Sequence, residues 1–164
     1  MRKLALALGI AGLLAVLPSV ASAGGQPTRA PLPDVDNSFD IPAGQACSFE
    51  VSGAPVVNNE TVTTFPADAS GAVRLIVTGT LREQITNVST GKSIVANISG
   101  PATLINYPDG SQLANLHGRS EFVNPAGTDM ELVTGHLVLY FSSTNQETVV
   151  SQTGTVEDVC AALS

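Results

Sequence analysis

Basic side chains are scarce in this chain: seven Lys and Arg stand against fourteen Asp and Glu in 164 residues. Neutralising a run of phosphates needs clustered cations, so nucleic acid is excluded as a partner. An anionic membrane surface is disfavoured for the same reason. Long apolar runs are also missing after residue 23, and nothing there approaches the roughly 20 residues of a spanning helix. A twin-arginine pair, a phosphate-binding loop, a helical zincin His pair and a nucleophile elbow are all absent. No cofactor is therefore expected, and no metal site is assigned.

The first twenty-three residues do carry a pattern. Arg2 and Lys3 precede an apolar run from 4 to 17, Pro18 and Ser19 break it, and Ala21-Ser22-Ala23 is a small-x-small cleavage site. This is the layout of a secretory signal peptide. The mature protein is expected to start near Gly24 and to be secreted. Losing Arg2 and Lys3 leaves five basic residues against the same fourteen acids.

Only Cys47 and Cys160 remain as thiols. In an oxidising compartment an even count reads as a disulfide, and two cysteines allow one pairing. A loop of about 100 residues closed this way contributes ~4–5 kcal/mol in the chain-entropy model.

Residues 24–45 hold Pro27, Pro31, Pro33 and Pro42 and show no period, so they read as an arm with little to bury. Acids alternate from Asp34 to Asp40. Phe39 stands where a calcium loop needs Gly, and Gln45 occupies the twelfth position, so the stretch reads as a solvated acidic arm.

From residue 46 onward Thr and Val dominate, and one β-domain is expected over 46–164. The expected strands are 47–52, 59–65, 72–78, 80–88, 93–99, 102–107, 112–123, 130–141 and 148–153. Their connections are short. Strands joined only by hairpins form an antiparallel meander. Linking the first strand to the chain's end through the cysteines favours a closed up-and-down barrel of about eight strands. A two-sheet β-sandwich is the alternative. At the end of the chain Thr155 reads as a helix cap with Asp158 three residues on. Val156, Val159, Cys160 and Leu163 would share the helix face.

The hairpin 112–123 with 130–141 has a readable register. Placing Val123 opposite Met130 brings Leu116 to Leu137, Ala114 to Leu139 and Gly118 to Gly135. A slip of one residue would turn every apolar side chain outward. The same register sets His117 against His136, the two histidines of the chain. Facing imidazoles are close enough to share a metal or a proton. His117, His136, Arg119 and Glu121 are therefore the candidate ligand-binding residues.

Ile41-Pro42-Ala43-Gly44, Ala46-Cys47-Ser48-Phe49, Thr90-Gly91-Lys92-Ser93, Asn97-Ile98-Ser99-Gly100-Pro101, Asp109-Gly110-Ser111 and Glu157-Asp158-Val159-Cys160-Ala161-Ala162-Leu163 resemble small secreted β proteins of actinobacteria. The resemblance covers most of the mature chain and rests on turns, the cysteines and the terminal helix. It implies export and an all-β fold, and transfers no functional residue. The expected function is a secreted, non-enzymatic barrel that binds a small apolar molecule or a surface partner. A structural, envelope-associated role without ligand is the second reading. A barrel enzyme of cyclase or lyase type, using the His pair, is the third.

Overall fold

The computed structural model describes residues 25–32, 38–124 and 129–164. The signal-type leader and the acids Asp34 and Asp36 lie outside them. Alternation sets the architecture: in Val73–Thr78 the side chains of Leu75 and Val77 turn inward while Arg74 turns out. The described residues form eleven strands: β1 Thr28–Pro31, β2 Phe39–Ile41, β3 Val51–Asn58, β4 Thr61–Thr64, β5 Val73–Thr78, β6 Leu81–Asn87, β7 Ser93–Asn97, β8 Ala102–Asn106, β9 Gln112–Val123, β10 Met130–Phe141 and β11 Glu147–Asp158. The helix α1, Val159–Leu163, ends the chain. No helix among the described residues is long and apolar enough to cross a membrane.

The strands form two antiparallel sheets and not a closed barrel. One sheet has seven strands in the order β1-β4-β5-β8-β9-β10-β11, and the other has four, β2-β3-β6-β7. The two-sheet alternative is therefore the one observed. The meander expectation fails at the link of residues 79 and 80. Two residues there look like a hairpin turn, but β5 pairs with β8 while β6 pairs with β3. The chain changes sheets at that point instead of folding back.

Three such changes gather at one corner. Between β3 and β4 the chain leaves the small sheet, between β5 and β6 it returns, and between β7 and β8 it leaves again. Backbone hydrogen bonds pin the passages together. Asn59 N donates to Thr80 O at 2.8 Å, Ile98 N to Leu81 O at 3.0 Å, and His117 N to Pro101 O at 3.1 Å. Strands that switch sheets are a known way of making a corner between packed layers.

Two apolar clusters result. The first joins residues of the large sheet alone: Val62, Leu75, Val77, Leu104, Leu116, Leu137 and their neighbours. The sheet thus curls over its own face. The second joins the small sheet and α1 to Met130 and Leu132 of β10. β10 accordingly buries both its faces, Val133, Leu137 and Leu139 on one side and Met130 and Leu132 on the other. Each such side chain contributes about 1.5–3 kcal/mol on burial.

The β9–β10 register is the one expected from the sequence, with Met130 opposite Val123, Leu137 opposite Leu116 and His136 opposite His117. Gly118, Gly135 and Gly154 stand side by side across β9, β10 and β11. All three have positive φ, at 93°, 153° and 114°. The row is a crease. It separates the stretch of β10 that carries Leu137 and Leu139 from the stretch that meets the small sheet.

Both chain ends depart from expectation. The arm buries Phe39 and Ile41, because β2 pairs with β3 and the Phe39 ring lies across Gly53. β1 pairs with β4. Cys47 precedes the first long strand, which begins at Val51. At the other end β11 runs on to Asp158, and Asp158, not Thr155, caps the helix by accepting from Ala161 N at 3.0 Å. Val156 pairs with Val133 in the ladder and stays 48 % exposed. A twelve-residue ladder outweighs the first turn of a short helix, whose nucleation is costly. Cys160 still reaches Cys47, and the disulfide joins them with Cα atoms 5.4 Å apart.

Candidate functional site: a carboxyl-lined cleft between the sheets

The corner where the chain changes sheets is imperfectly filled, and a cleft of about 110 Å³ opens there. Its walls are hydrocarbon: Leu81 and Ile98 come from the small-sheet side, Val77, Leu104 and Leu116 from the large sheet. Three carboxyl residues line it, Glu60 ahead of β4, Glu83 on β6 and Glu121 on β9. Arg119, His117 and Ser120 complete the rim from β9.

The placement follows from strand alternation. On β6, Glu83 shares an inward face with Ile85 and Asn87, and it is only 4 % exposed. On β9, Arg119 and Glu121 share a face, and the β10 partner of Glu121, Leu132, packs with the small sheet. Glu121 Oε2 is shielded from solvent and has no hydrogen-bond partner. Arg119 does not neutralise it. Its Nη2 is 2.6 Å from Glu157 Oε2, and its Nε is buried without an acceptor.

Burial disfavours the charged form of a carboxyl, and a second carboxylate nearby disfavours it further. Both causes act here. Burial pushes Glu83 up to about 7. It holds Glu121 well above the usual carboxylate range, with the Glu83 charge adding to the effect. Burial also raises Glu60.

Of the four residues singled out from the sequence, three meet at this cleft: His117, Arg119 and Glu121. His136 does not line it. Its ring stacks on His117 with centroids 4.4 Å apart and planes 11° from parallel, and its Nε2 lies 2.8 Å from Asn115 Oδ1. Among the described residues no group of three or more His, Cys, Asp or Glu is gathered to hold a metal. Glu83 and Glu60 are not among the residues that the sequence singles out. Glu83 was readable, since Leu81, Glu83, Ile85 and Asn87 alternate along one face and Ile85 has to be inside. No family model, curated protein or solved structure matches this chain.

The raised carboxyls fix the sign of a pH effect. Where the folded state holds a proton that the unfolded chain has lost, stability falls as pH rises. For Glu83 this window runs from the ordinary value of 4.5 to about 7. Glu147, also pushed up to about 7 by burial, acts in the same direction. Urea unfolding should show stability falling through this window, with a shallower fall in Glu83→Gln. An unchanged slope in that variant would remove Glu83 from the account.

Proposed function

We propose that this chain is an exported, non-catalytic binding protein that holds one small, largely apolar molecule in the seam between its sheets. The observation that carries this reading is the unpartnered Glu121 Oε2, buried against the hydrocarbon walls of the cleft. An unsatisfied buried polar atom costs about 1–3 kcal/mol. A site that keeps such an atom beside an open apolar space is organised for a guest with one polar end. Export rests on the leader pattern of residues 1–23, and the Cys47–Cys160 bridge is compatible with it. The cyclase or lyase reading draws less support, because His136 lies outside the cleft lining and is engaged with Asn115.

Titration of isotope-labelled, disulfide-bonded protein with a small neutral guest such as n-butanol, whose hydroxyl can donate to Glu121 Oε2, tests the reading by NMR. Amide shifts should move at Leu81, Ile98, Leu104 and Leu116 and saturate together. Shifts confined to the exposed valines Val95 and Val150, or none, would refute it.

A further inference from the structure

We propose that the polar end of the guest is a protonated aliphatic amine, received between the carboxyls of Glu83 and Glu121. The inference rests on the binding reading above and specifies its ligand. Two carboxyl groups from different sheets meet in one apolar cleft, Glu83 from β6 and Glu121 from β9. Among the described residues neither is ion-paired with Lys or Arg. The cation that lines the cleft, Arg119, is ion-paired through Nη2 with Glu157, and no ion pair joins it to Glu83 or Glu121. Each carboxyl also raises the cost of charging the other, since like charges in a low-dielectric site repel.

An ammonium group answers each of these conditions. It brings the missing positive charge, and its three N–H donors can serve Glu121 Oε2 and Glu83 at once. An alcohol offers a single donor and no charge. A carboxylate guest would add another acid to a site that already holds three. A divalent cation such as calcium needs its oxygen ligands drawn close around one point, and among the described residues no group of three or more His, Cys, Asp or Glu is gathered in that way. The volume limits the rest of the molecule. A cavity of about 150 Å³ accepts a benzene-sized guest, so this one suits a chain of about five heavy atoms. n-Butylamine has that size.

The test compares n-butylammonium, n-butanol and butyrate on the full exported protein by the same NMR titration. Wild-type protein should bind the amine about tenfold more tightly than the alcohol, and butyrate weakest, since charge-assisted hydrogen bonds are roughly twice as strong as neutral ones. Glu121→Gln keeps the shape and removes the charge, and there the preference should vanish. Glu83→Gln should behave alike, which guards against one variant failing to fold. Equal affinity for amine and alcohol in the wild type would overturn the amine assignment and leave the cleft as a binding site. An amine preference that survives in both variants would overturn the carboxyl clamp. If none of the three probes shifts the cleft amides, both this inference and the reading beneath it fall.

Discussion

Replacing Cys47 and Cys160 together by Ser lowers the unfolding free energy by about 4–5 kcal/mol, a large share of what a domain of this size holds. The bridge spans 113 residues of sequence and so encloses nearly all of the paired structure. In the chain-entropy picture the penalty grows with the logarithm of loop length, and few loops here could be longer. Local structure offers little compensation at either end. Cys47 precedes β3, in turns and bends, and α1 has only five residues. A helix that short does not stand by itself, and Val159 and Leu163 are its buried anchors. Urea unfolding of the double variant beside the oxidised protein measures the loss. The slope of unfolding should also rise in the variant, because its unfolded chain expands further. A difference under about 1 kcal/mol would show that packing of α1, not the bridge, holds the ends together.

Gly135→Ala is the second costly change, at about 3–5 kcal/mol. Two causes add. The φ of 153° is one that side-chain-bearing residues rarely adopt. A Cβ at this place would also run into the backbone carbonyl of Thr153 and close on the Cα of Gly154. Neither is the loose end of a side chain, so the β10–β11 ladder has to part to make room. Gly91→Ala separates the causes. Gly91 has a φ of 74° but open space around it, so only the backbone term of about 1 kcal/mol applies. Thermal unfolding of both variants gives the comparison. Equal losses would mean that the close approach at the crease counts for nothing.

Strand alternation made much of this structure legible. The β9–β10 pairing could be aligned from Leu116, Gly118, Leu137 and Gly135, because a buried face tolerates no slip. The same alignment puts Arg119 and Glu121 on one face, and both line the cleft. Other features left no local trace. Gly79 and Thr80 have the composition of a hairpin turn whether the chain returns beside β5 or crosses to β3. The difference depends on which distant strand β6 meets, so the barrel expectation had no signal to correct it. β1 and β2 are too short and proline-flanked to show a period, and their partners lie in β4 and β3. Glu60 lies outside any strand, and its place in the cleft follows from the corner alone.

The position of the sulfurs also decides how the molecule would carry tension. The Cys47–Cys160 bond closes a covalent ring holding β3 to β11, so a pull on the flanking chain passes through the sulfurs and leaves those strands unloaded. Among the described residues β1 and β2 are the strands ahead of the ring, and each is the terminal strand of a different sheet. Single-molecule extension of the oxidised protein should release that leading segment and, beyond Cys160, the last four residues with Leu163, and leave the ring folded. Stretching from the N-terminal side would thus bare one fresh pairing edge on each sheet, along β4 and β3, while the body of the protein stayed folded.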